Sequence, residues 1–376
     1  MRERGLVPYR GRVLCRLVLS LALLAALAAV APDQEVGTTT AAPTSTTSTT
    51  SADNPLAGRA WGVYRGAAEL VWEPYERATG QRKTLLAKIA LQPKSKWFGD
   101  WISDDTIADK VRDYVATATG GDPEVLVPMT VFRVMPWEQE ACTRLPTRAE
   151  KASYRRWINR FASALGETHT LMVLQPDGPF ARCAPRGSKV PSQLVAWAAR
   201  TFAALPNTHV YLDAGAADWL HVDDAVQLLV DLGVEHVRGF ALNTTHYDAT
   251  SSQVSYGAEV VAGLAARGLP GKHFVVDTTQ NGRPFTHAQW AADPRGRPFD
   301  DAATCRTPAG LRCVTLGIPP TADVGSPAWG LPARVRALAA EHVDGFVWTG
   351  RPWLHQQSHP FDLARALAVA RTTPYQ

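Results

Sequence analysis

Six short runs of apolar, mostly β-branched residues recur along the chain with amphipathic stretches between them. This alternation restricts the fold more than any other feature of the sequence. The runs are Glu124–Val134, Thr170–Leu174, His209–Leu212, Val237–Leu242, His273–Val276 and Gly345–Trp348. Most are apolar on consecutive residues, as in strands covered on both faces. The stretches Tyr154–Leu165, Gln193–Leu205, Asp223–Leu232, Val254–Ala266 and Pro332–Glu341 carry apolar residues at helical spacing. Strand–helix alternation of this length predicts an α/β domain built on a parallel sheet. Four runs finish in polar residues: Gln175-Pro176-Asp177, Asp213-Ala214-Gly215, Asn243-Thr244-Thr245 and Asp277-Thr278-Thr279-Gln280. In a parallel barrel such ends converge on one face, whereas an open sheet spreads them along a crevice. A β/α barrel over 54–376, one catalytic domain, is the expectation.

The chain lacks GxGxxG, GxxxxGK[ST] and HExxH motifs, which removes nucleotide enzymes and the common metallopeptidases. Its net charge of +4 equals that of residues 1–31, where five Arg face one Glu. The remainder is neutral, so no nucleic-acid partner is expected. The basic start leads into an apolar run, Leu17–Ala31, too short for a membrane span and closed by small residues. That layout reads as a secretory signal or an N-terminal anchor over 1–31. Residues 32–53 are Thr/Ser-rich and read as a disordered linker. A secreted or extracellular protein, or one held at the cell surface, follows. Loss of Cys15 with the signal leaves Cys142, Cys183, Cys305 and Cys313. These predict two disulfides with three pairings open, and no CxxC points to zinc.

Glu140, Asp177, Asp213 and Asp277 fall at or near expected strand ends, and Trp97, Trp219 and Trp290 fall in or beside expected loops. Sugar rings stack on aromatic faces, and paired carboxyls hydrolyse glycosidic bonds. Asp177 lies among Pro176, Pro179 and Phe180, where burial would hold it protonated as a general acid. The plain alternative for each Asp is a helix or turn cap, and for each Trp, core packing.

Taken in order, the motifs resemble glycoside hydrolase family 6, the family of endoglucanases and cellobiohydrolases. The blocks are Asn54-Pro55-Leu56-Ala57-Gly58, Trp97-Phe98, Tyr154-Arg155-Arg156-Trp157, Gln175-Pro176-Asp177, Tyr211-Leu212-Asp213-Ala214-Gly215 with Trp219, Gly239 to Tyr247, Asp277 to Gly282, Gly317 to Thr321 and Phe346-Val347-Trp348. The resemblance implies a distorted TIM-like barrel and inverting hydrolysis of β-1,4-glucan without cofactor or metal. It implies Asp177 as acid and Asp213 as the carboxylate tuning it. Trp97, Trp219, Asn243, His246 and Trp290 would bind substrate. Cys142 would pair with Cys183, leaving Cys305 for Cys313. The partner would be a β-glucan polysaccharide or oligosaccharide, and the protein a monomer with no membrane contact beyond an N-terminal anchor.

Departures from the family pattern concentrate around the reaction. Ala141 stands before Cys142 where the family has an Asp, and Glu140 is the expected substitute, with Glu138 beside it. Gly350-Arg351-Pro352-Trp353-Leu354-His355-Gln356 lacks the Lys, Glu and Asp of the family's late loop. The family's strand-end Tyr falls at Phe132 or Arg133, its Arg at Gln280, and a frequent His at Ala216. Two readings follow: a glucanase with altered or reduced activity, and a carbohydrate-binding protein on the same barrel that no longer hydrolyses.

Overall fold

The computed structural model describes residues 54–375. The expected signal and linker lie outside these residues. Seven parallel strands follow one another in a single sheet: β1 (Lys96–Gly99), β2 (Val127–Phe132), β3 (Thr170–Leu174), β4 (Thr208–Asp213), β5 (Gly239–Leu242), β6 (His273–Asp277) and β7 (Val343–Val347). The sheet curls until its edges meet, with Ser95 N–H before β1 donating to the Trp348 carbonyl after β7 at 2.8 Å. The expected barrel is therefore distorted, with seven strands and a seam bridged at this point by that backbone bond. Six strands coincide with the sequence runs. The seventh, β1, is the segment read only as an aromatic pair. Among the described residues, no helix is long and apolar enough to cross a membrane.

Consecutive apolar residues separate by strand alternation into two cores. Leu171, Val173, Tyr211, Ala241, Val275 and Val347 point inward and fill the barrel. Met172, Leu174, Val210, Leu212, Phe240, Leu242, Phe274 and Val276 point outward under the helices. Both faces of the sheet are dry, which explains why these strands read as unbroken apolar runs. The same alternation turns Arg133 outward, onto Asp104 and Ser153, and Phe132 inward against Trp97. The helix Arg148–Leu165 starts at a capping box: Thr147 accepts from Glu150 N–H at 3.2 Å and Glu150 accepts from Thr147 N–H at 2.7 Å. At the barrel floor, Asp344 accepts from Tyr211 Oη at 2.7 Å and Arg238 Nε at 2.8 Å.

Both expected disulfides are present, Cys142–Cys183 closing 41 residues and Cys305–Cys313 closing 8. Loop-closure entropy assigns them about 4 and 2.5 kcal/mol. Reduction should lower the melting temperature, and Cys142→Ser with Cys183→Ser should lower it more than the matching pair at 305 and 313. An unchanged melting curve under reductant would contradict this.

Candidate active site

The C-terminal ends of β3, β4 and β5 bring three segments together. Asp213, the last residue of β4, is fully buried. Its Oδ1 accepts from Gly178 N–H and Gly215 N–H, each at 3.0 Å, and Thr244 Oγ1 donates to Oδ2. Gly178 is required at its place, because a Cβ there would lie 1.9 Å from the Asp213 carbonyl oxygen. Asp177, one residue earlier, has φ +60° and ψ +34°, a left-handed conformation that Asp tolerates better than most residues. This geometry holds its half-buried carboxyl beside Asp213, with Thr245 Oγ1 donating to Oδ1 at 2.8 Å.

The electrostatics separate the two acids. Burial, then the Asp213 charge, hold Asp177 well above the usual carboxylate range. Burial raises Asp213 to about 6, with the hydrogen bonds from Thr244, Gly178 and Gly215 opposing it. Burial and the neighbouring charge favour the protonated form of Asp177, while the hydrogen bonds to Asp213 favour its ionised form. Divergence of this kind between neighbouring titratable groups marks acid–base sites.

Asp177 lines a cavity of about 570 Å³ with Glu138, Gln139, Phe180, Asp218, Trp219, Thr245, His246, His287, Phe299 and Asp300. His246 stacks on Trp219 at 4.9 Å, and its Nδ1 lies 2.8 Å from Asp218 Oδ1. The other Asp218 oxygen accepts from His287 N–H at 2.6 Å. Burial works to raise Asp218, but the His246 hydrogen bond and charge outweigh it and keep this carboxylate low. Loss of solvent raises both Glu138 and Asp300, and the Asp300 charge raises Glu138 further.

Of the expected site residues, Asp177, Asp213, Trp219 and His246 come together here. Glu140 does not join them. It points outward and pairs with Arg144 at 2.5 Å, while Glu138, on the same short helix (Glu138–Ala141), faces the cavity. Asn243 is also not a lining residue: it is fully buried with φ +69°, and its Nδ2 donates to the Asp277 carbonyl at 3.1 Å. Trp290 stands behind the cavity wall, 5.2 Å from Phe299 and 5.3 Å from His287, and lines a separate small pocket. Trp97 lies on the seam side of the rim, its Nε1 donating to the Thr349 carbonyl at 2.7 Å. Asp277 is a buried tie between strand ends, accepting N–H bonds from Thr279, Thr349 and Gly350. Gln175 Oε1 accepts from Arg133 and Val134 N–H, both at 3.1 Å, and so fixes the end of β2 to that of β3. Asp218, His287, Phe299 and Asp300 were not singled out from the sequence. They come from three separate segments, the turn after β4, the start of the helix His287–Ala292 and the 3-10 turn Phe299–Asp301, and no local period marks them.

The family model described as "Glycosyl hydrolases family 6" matches residues 62–331. Endoglucanase A of Cellulomonas fimi is 31% identical over 236 residues, 62% of this chain and 49% of that protein. Endoglucanase 1 of Streptomyces halstedii is 29% identical over 229 residues, covering 58% of this chain and 68% of that protein. The first of these matches spans about half the length of the relative. Among solved structures, the endoglucanase Cel6 from Mycobacterium tuberculosis, in complex with methyl-cellobiosyl-4-deoxy-4-thio-β-D-cellobioside, superposes with a TM-score of 0.67. It is 24% identical and covers 85% of this chain and 99% of its own.

Proposed function

Since the chain belongs to glycosyl hydrolases family 6, we propose that it is a secreted β-1,4-glucanase that cleaves with inversion and uses Asp177 as general acid. The observation that carries this reading is the Asp177–Asp213 pair: Asp177 lines a cavity walled by Trp219 and His246, burial and the Asp213 charge favour its protonated form, and Asp213 is held behind it by hydrogen bonds from Gly178, Gly215 and Thr244. Curated relatives named as endoglucanases support the substrate class. Asp177 gives its proton to the leaving glycosidic oxygen as the C1–O bond breaks. A water attacks C1 from the opposite face and passes its proton to a carboxylate across the cavity. We assign that acceptor to Asp300. It lines the same cavity, where burial raises its pKa and the His246 charge opposes the rise, whereas burial and the Asp300 charge both raise Glu138.

The test is proton NMR of cellotetraose or a soluble β-1,4-glucan during cleavage. The first new reducing ends should be the α-anomer. Asp300→Asn should lower kcat by about 10²- to 10⁴-fold, and azide, a nucleophile that needs no deprotonation, should restore part of the rate. Early β-anomer would overturn inversion, and an unaffected Asp300→Asn variant would move the role to Glu138.

A pH prediction follows from the pair. The ionised Asp213 helps hold the proton on Asp177, and the acid works only while protonated. Asp213→Asn keeps an oxygen acceptor for Gly178 and Gly215 but removes the charge. The Asp177 pKa should fall, so the alkaline limb of kcat/KM should move to lower pH. A limb that stays or moves up would contradict the coupling.

One observation favours the second reading, a binding protein without hydrolysis: the residue before Cys142 is Ala141, buried and unable to handle a proton. Glucan binding with no reducing-end release would establish it.

A further inference from the structure

A second cavity, of about 370 Å³, opens at the rim where β7 and β1 meet. Its charge is opposite to that of the cavity around Asp177. Lys94, Lys96 and Arg351 line it against one carboxylate, Glu69, whereas Glu138, Asp177, Asp218 and Asp300 line the other with no Lys or Arg. The cations differ in how far they are already satisfied. Lys94 Nζ donates to the carbonyls of Ile89, Ala90 and Gln92 at 2.8, 3.3 and 3.3 Å, which occupies its three hydrogens. Lys96 Nζ donates to the Ala68 carbonyl at 2.8 Å and has donors left over. Arg351 lies 4.8 Å over the Trp97 ring, and its Nε is buried without a hydrogen-bond partner. Desolvation lowers its pKa to about 10, with Glu69 opposing, so it remains a cation at neutral pH.

A buried donor without an acceptor costs free energy until a ligand supplies one. A guanidinium fork matches a carboxylate in two parallel hydrogen bonds. Beside it Trp101, 57% exposed, offers the cavity an open ring face on which a pyranose can lie. We propose that this cavity binds a carboxylate-bearing sugar unit, its acid group accepting from Arg351 and Lys96 and its ring resting on Trp101. The inference rests on the glucan-binding reading above and narrows it: the preferred chain carries an acidic residue. The acid is either C6 of a uronosyl ring or C1 of an oxidised chain end, and two probes separate these sources.

The experiment is an NMR titration of Asp177→Asn protein, which leaves the probes uncleaved, with cellobiouronate, cellobionate and cellobiose at low salt. At least one acid should bind about tenfold or more tightly than cellobiose, the scale of a charge-assisted hydrogen bond. The acid that does so identifies the source. Arg351→Gln should bring that ratio to within about threefold of unity. Arg351→Lys keeps the charge without the fork and should lower the ratio severalfold, which covers the case in which Arg351→Gln does not fold. Equal binding of all three probes, no binding of either acid, or a preference that survives both substitutions overturns the proposal. Cellotetraose hydrolysis by the unmutated protein is followed in parallel. Hydrolysis without acid preference removes only this inference. Acid preference without hydrolysis removes the glucanase reading and keeps the cavity.

Discussion

Asp177→Asn should reduce glucan hydrolysis by about 10²- to 10⁴-fold while leaving the melting temperature within a degree or two of the parent. Glucose is a poor leaving group, and its oxygen must be protonated as the bond breaks. The asparagine is nearly isosteric and still accepts from Thr245 Oγ1, which lies 2.8 Å from Asp177, so folding and glucan binding should persist. It cannot release a proton. The loss should therefore depend on the leaving group: an aryl glycoside whose phenolate departs without help should be hydrolysed almost as well by the variant as by the parent. A uniform loss on both substrates would mean that the substitution damaged the cavity rather than the acid. Wild-type turnover on the natural linkage would remove Asp177 from the mechanism.

Asp277→Ala should be the most damaging single substitution for stability among those considered. Asp277 is fully buried at the end of β6, and its two oxygens accept N–H bonds from Thr279 at 2.7 Å, Thr349 at 2.6 Å and Gly350 at 3.0 Å, besides the Thr279 and Thr349 hydroxyls. Truncation leaves three buried backbone donors unpaired, each costing roughly 1–3 kcal/mol. A combined loss of about 4 kcal/mol is expected, or roughly 6 °C for a domain of this size. Thermal or urea unfolding measures it, and a change below 1 kcal/mol would mean that water reaches these donors. The damage should reach the rim as well, because Thr349 and Gly350 lead directly into Arg351.

The barrel was legible in the sequence because both faces of its strands are dry. Leu171 and Val173 face inward while Met172 and Leu174 face outward, so apolarity is continuous along the strand. The strand β1 (Lys96–Gly99) escaped notice because its first two residues, Lys96 and Trp97, are only partly buried, so no unbroken apolar run marks it, whereas the equally short β5 is buried throughout. Asp177 and Asp213 were legible as candidates because Asp213 ends β4 and Asp177 follows β3 within three residues, where position assigns the face of the barrel. The Glu138–Glu140 region was not. The stretch reads as a loop, which assigns no direction to either side chain; in the structure Glu140 turns out to Arg144 and Glu138 faces the cavity. Asn243 and Trp290, expected at the substrate from the resemblance, lie off this cavity: Asn243 is buried in a left-handed turn and Trp290 packs behind Phe299. Asp300 and Phe299 reach the cavity through tertiary packing alone, which no spacing records.

The seam between β1 and β7 gives the barrel a mechanical property. Elsewhere neighbouring strands are joined by ladders of several backbone bonds, with one register shift between β6 and β7 at Phe274/Val275, and widening the ring there means breaking several bonds together. At the seam, one backbone bond, Ser95 to Trp348, and one side-chain bond, Trp97 to Thr349, span the gap at the rim. A sleeve of this kind takes up strain along its slit. The bore of the cleft is set chiefly at that line, so a thicker or thinner polymer changes the distance between two edges rather than the shape of the whole wall.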